Sequence, residues 1–210
     1  MEGDHLDYAT PELRAVLDRW DLLRHPFYTR WKAGELTRDE LVDYAGQYAH
    51  VVRALPRWLE AAADAAHAEH RAVLREHAHD EAAHPALWDQ FAAAVGADAA
   101  ETNAEPNDAT RSLLAEGEML TALGLGAAVA WSLEAQSPEV SKEKLHGLAE
   151  HYDITDTGAE YFSLHAEKDV EHRQELGTMI AGNPHAVEAA DAVLSRLWDL
   201  LSSVERPPAA

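Results

Sequence analysis

The 210-residue chain contains no cysteine. That excludes disulfides, zinc–thiolate sites, iron–sulfur clusters and a thiol nucleophile, so any metal must be held by histidine and carboxylate. Cations are also scarce: 17 Lys and Arg stand against 38 Asp and Glu, and only four of the 17 are lysine. A formal charge of -21 excludes the basic footprint of a nucleic-acid binder and repels anionic membranes. It is the charge of a protein that stays soluble in high salt. Long apolar runs are absent. The longest charge-free stretch in a helix candidate, 119–133, is too short to span a bilayer. The first residues, MEGDHLDYATPEL, have neither the basic nor the apolar region of a signal peptide, so a cytoplasmic protein is expected.

Runs of β-branched residues are rare, and Gly and Pro gather at a few points between alanine-rich segments. The chain therefore reads as all-α. Thr10 followed by Pro11 opens a helix over 11–24, interrupted at His25-Pro26. Thr37 and Glu40 form a capping box for a helix to 66, with a kink expected at Pro56. Further helices are read at 68–95, 109–135, 138–151, 157–181 and 184–204, with the longest loop at 96–108. These seven helices make one domain over 1–205, followed by a frayed tail at 206–210. Helix 109–135 reads as the most buried, because 119–133 has no charge on any face.

What is abundant is histidine, 13 in all. On a helix, His165, Asp169 and His172 fall within a stripe about 60° wide, each one turn from the next. Glu134 ends the charge-free run beside an apolar wall, where an uncompensated carboxylate would cost several kcal/mol. Glu81 and His84 form the Glu-x-x-His pair used in carboxylate-bridged di-iron bundles. Six acid-x-x-His pairs occur in the chain, so the spacing alone selects none of them. Their joint arrangement does: Glu81, His84, Glu134, His165, Asp169 and His172 lie on three long helices and supply three carboxylates and three imidazoles. Two divalent ions would balance three negative charges and keep open positions for water, O2 or substrate. His67, His70, His77 and His79 read instead as a solvated, acid-rich helix face.

Five segments then carry a resemblance: HPFYTRWKAGEL at 25–36, YAGQY at 44–48, HPALW at 84–88, LEAQSPEVSKEK at 133–144 and YFSLHAEKDVEH at 161–172. In that order the chain resembles the haem-oxygenase-like di-metal oxidases, related to the TenA/PqqC-like proteins. Within them it is most similar to the family of the chlamydial protein associating with death domains. The resemblance implies a seven-helix haem-oxygenase-like bundle and a non-haem di-iron or manganese–iron site on the six residues above. It implies O2 and a reductant as co-substrates, and a homodimer as one assembly. It also implies self-sacrificing formation of para-aminobenzoate for folate, with Tyr28 matching the ring donor and Lys144 the amine donor. Tyr44 and Tyr48 are further phenols in the matching segments. Relatives carry a longer insert before the His-Pro motif, so Asp80 competes with Glu81 as a ligand. They also tend to place Tyr where this chain has Leu133.

Sister families set the alternatives. A thiaminase of this fold needs a cysteine, which is absent, and a haem oxygenase needs an axial histidine, for which His25 lies nearest. A di-iron oxidase acting on an external amino-acid or fatty-acid substrate, a metal-free quinone-cofactor synthase and a helical interaction module remain as other readings.

Overall fold

The computed structural model describes residues 9–206, which contain helices and no strand. α1 (Pro11–Arg19) and a short 3-10 turn (Leu22–Arg24) lead to α2 (Pro26–Lys32) and the long α3 (Arg38–Ala65). Next come α4 (Ala68–Glu81), α5 (His84–Val95), α6 (Ala99–Thr102), α7 (Asp108–Ala122) and α8 (Gly126–Glu134). α9 (Ser137–His151), α10 (Glu160–Ile180) and α11 (Ala186–Ser203) complete the bundle. α3 lies against α4, α5, α7 and α8, and α10 against α4, α5, α8 and α9. The core between them is rich in large rings: Phe27, Trp31, Tyr44, Trp58, Trp88, Phe91, Trp131 and Phe162 are all buried.

The all-α class is as read from sequence, and the seven long segments are present with corrected boundaries. The segment 68–95 is two helices, parted at Ala82 and Ala83, so that His84 begins α5. The segment 109–135 is also two, parted at Gly124, which has φ +82°. Only its second half is the buried one: every residue from Ala128 to Glu134 is buried, whereas Met119 and Leu123 are exposed at the break. A turn with positive φ admits glycine without the Cβ clash, which is why the apolar run bends there. α6 occupies part of the expected loop at 96–108. α3 stays helical through Pro56.

Local chemistry explains the ends. Thr10 and Pro11 open α1, and Thr37 and Glu40 form both halves of the capping box of α3. α2 stands where the sequence showed only an interruption. His25 is its cap, its Nδ1 accepting the Phe27 N–H at 3.0 Å, with Pro26 in the first turn. Arg206 is not part of a frayed tail: its backbone N–H donates to Glu40 at 2.8 Å and its guanidinium meets Asp39 and Asp43, each at 2.7 Å. The expected tail beyond it, 207–210, lies outside the described residues.

Candidate metal centre

Four helices converge on one point. Glu81 ends α4, His84 begins α5, Glu134 ends α8, and His165, Asp169 and His172 share a face of α10. All six side chains are buried, none more than 4% exposed. The structure therefore brings together the whole set that the sequence selected. Glu81, His84 and His165 offer atoms within 4.8 Å of one another, as do Glu81, Asp169 and His172. His84 Nδ1 lies 2.7 Å from Glu81 Oε2, and His172 Nδ1 lies 3.3 Å from Glu134 Oε2 and 3.8 Å from Asp169 Oδ1.

The donors are underused within the protein. Neither oxygen of Glu134 has a hydrogen-bond partner, nor has Oε1 of Glu81 or Nδ1 of His172, and Asp169 has the Ser137 hydroxyl and, at 3.8 Å, His172 beside it. Burial, then the nearby Glu81, holds the Glu134 carboxyl well above the usual range. Burial, then Glu134, does the same to Asp169. Burial pushes the His165 imidazole down to about 4. Three buried carboxylates with free lone pairs, beside three imidazoles, are an incomplete electrostatic set that divalent cations complete. The residues fit two metal ions.

Asp80 stands at the outer edge: its Oδ2 lies 3.0 Å from Lys168 Nζ and 3.7 Å from His172 Nε2, while Glu81 is buried within the cluster. His25 is not a haem ligand in waiting: besides capping α2, its Nε2 is 3.0 Å from Ser202 Oγ. One expectation fails outright. His77 is not on a solvated face but is 2% exposed, stacked on His172 with centroids 4.0 Å apart. Its atoms group with those of Glu134 and His172 within 4.8 Å. The signal was its place four residues before Glu81, on the same side of α4.

Beside the cluster lies an aromatic chamber around Lys144. This lysine is 4% exposed and has six rings about its Nζ: Tyr28, Trp31, Tyr44, Tyr48, Trp88 and Phe162, with centroids between 4.7 and 6.0 Å away. Its Nζ donates to the Tyr44 hydroxyl. Ring faces favour the ammonium form, but loss of water outweighs them, and burial brings the Lys144 amine down to about 7. α9 is set closely enough for this because Gly147 abuts Trp31, where a Cβ would come within 2.5 Å of the indole. Trp31 Nε1 also donates to the Lys144 carbonyl at 3.4 Å.

Tyr28, Tyr44 and Tyr48 are the chamber's phenols, and burial raises all three above the ordinary tyrosine value. For Tyr48 the second cause is the charge of Glu81, which puts this phenol at the metal-ligand side. Tyr48, Glu81, Glu134, Tyr161, His165 and Asp169 line a cavity of about 20 Å³, together with Leu133. That is room for about one water molecule. Tyr161, the first residue of the matching segment 161–172 but not among the expected site residues, is a further phenol of this cavity. It stacks on His165 at 4.0 Å and its carbonyl accepts from His165 Nδ1 at 2.6 Å.

Among known proteins, a family model described as "iron-containing redox enzyme" matches residues 42–203. A 4-aminobenzoate synthase of Chlamydia muridarum is 33% identical over 93% of this chain and 89% of its own length. The 4-aminobenzoate synthases of Chlamydia pneumoniae and Nitrosomonas europaea are 35% and 34% identical, covering 87% and 92% of this chain and 88% and 89% of their own. Among solved structures, a TenA homologue from Pseudomonas syringae covers 96% of each chain with a TM-score of 0.79 at 12% identity. A haem-oxygenase-like domain of unknown function from Shewanella denitrificans covers 91% of this chain and 89% of its own, with a TM-score of 0.76 at 20% identity. At those identities the two structures bear on fold alone. Among the described residues no helix is long and apolar enough to cross a membrane.

Proposed function

Because this chain belongs to the iron-containing redox enzyme family and is an oxidoreductase of the haem-oxygenase-like fold, we propose that it is a dinuclear oxidase that makes 4-aminobenzoate from its own Tyr28 and Lys144. The ligands are Glu81, His84, Glu134, His165, Asp169 and His172. When bound, a di-iron or manganese–iron pair supplies the reduction of O2, with an external reductant, that drives oxidation of a phenol.

The observation that carries the reading is the shared chamber: Lys144 Nζ is 5.4 Å from the Tyr28 ring centroid, in a water-poor pocket walled by rings. 4-Aminobenzoate has one carbon and one heteroatom para to each other on a benzene ring, and a tyrosine side chain already has that pattern. The Cα–Cβ bond breaks, O2 oxidises Cβ to the carboxyl carbon, and the Lys144 nitrogen, parted from its Cε, replaces the phenol oxygen, which leaves as water. An amine with a pKa near 7 is substantially neutral at physiological pH, so Lys144 has the lone pair that transfer of nitrogen requires. Tyr48 lies toward the carboxylates; the Tyr44 ring is 5.6 Å from that of Tyr48, and its hydroxyl is hydrogen-bonded to that of Tyr28. The three phenols thus form a route for an electron and proton to leave Tyr28. The names of the relatives support the product.

A second reading, catalysis on an external small molecule, has one observation in its favour. A groove of about 230 Å³ lined by His79, Asp80, Leu87, Leu164 and Lys168 reaches His84 and His172 from outside. The cavity on the inner side, about 20 Å³, holds no amino acid or fatty acid. Isotope labelling separates the two. Protein grown on ring-labelled tyrosine, loaded with metal and given O2 and reductant, is expected to release labelled 4-aminobenzoate at no more than one per chain. Tyr28→Phe should abolish it, and Lys144→Met should prevent entry of the lysine nitrogen. Many turnovers on an added substrate by Tyr28→Phe would overturn the self-sacrificing reading.

A further inference from the structure

A buried histidine outside the six-ligand set sits at one end of the cluster. His77 on α4 is 2% exposed, and its Nδ1 has no hydrogen-bond partner. Its Nε2 lies 2.7 Å from Glu175 Oε2 on α10. A carboxylate accepts only, so Nε2 carries the proton and donates, and Nδ1 is left with the lone pair. This is how metal-bound histidines are held: one ring nitrogen donates to a carboxylate or carbonyl, which fixes the tautomer and orients the other toward the ion. His165 shows the same arrangement, its Nδ1 donating to the Tyr161 carbonyl at 2.6 Å.

Without His77 the cluster is lopsided. Glu81, His84 and His165 give one end a carboxylate and two imidazoles, whereas the other end, with Glu134 and the shared Asp169, has a single imidazole, His172. His77 groups with Glu134 and His172 within 4.8 Å, while Asp169 groups with Glu81 and His172 between the ends. With His77 included, each end has two histidines and one carboxylate, the donor set typical of non-haem iron with open positions. We propose that His77 is a seventh ligand of the metal centre, specific to the ion at the Glu134–His172 end and oriented by Glu175. The inference rests on the two-metal reading of the six residues and deepens it.

The test counts metal rather than turnover. Chelator-stripped protein is titrated anaerobically with Fe(II) and, in parallel, with Mn(II). Bound metal is measured by elemental analysis and affinity by calorimetry. His77→Phe keeps a ring to stack on His172 but removes the lone pair. The wild type is expected to take two ions per chain. His77→Phe is expected to keep one with unchanged affinity and to bind the second at least about tenfold more weakly. Glu175→Ala, a change at a partly exposed side chain, should weaken the same ion by a smaller factor. It decides on the same readout if His77→Phe lowers helicity by circular dichroism. Two ions bound with wild-type affinity, or loss of both ions from a helical variant, would overturn the assignment of His77. In the first case the six-ligand reading stands. A wild type that takes up fewer than two ions would contradict that reading itself, and His77 with it.

Discussion

A lysine ammonium enclosed by six rings, with a single hydroxyl to donate to, is poorly solvated, and the folded protein relieves this by releasing the proton. Lys144 titrates near 7 when folded against an ordinary value of 10.5. Between those limits the unfolded chain binds a proton that the folded chain does not, so this residue's contribution to stability rises with pH across about 7 to 10.5 and is flat outside. Lys144→Met fills similar volume with no charge to bury. The variant is expected to be more stable than wild type by up to a few kcal/mol near pH 6.5, with the gap narrowing toward pH 9.5. Urea unfolding at both values checks this, and parallel shifts at the two pH values would contradict it. The site residues with strong local signals were readable in the sequence: the stripe of His165, Asp169 and His172, and Glu134 beside its apolar wall. His77 was not, because it lies among other histidines in an acid-rich segment, and only its spacing to Glu81 sets it apart.

At the scale of elements, the site depends on where helices stop. The break at Ala82 and Ala83 lets Glu81 end one helix and His84 begin the next, yet both remain directed at the same cluster. Two alanines give no stop signal of their own; the mark of the boundary is Pro85, in the first turn of α5, which a continuous reading of 68–95 overlooks. Gly124 is a stop signal that the charge-free run around it concealed. α2 and α3 are tied by Arg30 and Glu40, the latter fully buried. Burial alone would raise the Glu40 carboxyl, but Arg30, the Arg206 N–H and Thr37 together hold it at about 2, against an ordinary 4.5. The stabilisation is therefore present above about pH 4.5 and lost as pH falls toward 2. Glu40→Gln should cost about 2–3 kcal/mol near pH 7 and almost nothing near pH 2. Thermal unfolding across that range tests it, and a pH-independent loss would contradict it.

Across the whole molecule, periodicity and caps made the helical class and the long segments legible, because local sequence encodes both. The chamber is different in kind. Tyr28, Tyr44, Tyr48 and Lys144 lie on α2, α3 and α9 and meet only through packing, which no local pattern records. The bundle places this chamber directly beside a buried cluster of carboxylates and imidazoles whose polar atoms are only partly paired, and the proposed chemistry requires that cluster to hold two ions. The direct measurement is anomalous X-ray diffraction from crystals of metal-loaded protein, collected at the iron and manganese edges. Two peaks about 3.5–4 Å apart are expected among Glu81, His84, Glu134, His165, Asp169 and His172. A single peak, or none at these six side chains in fully loaded protein, would contradict it.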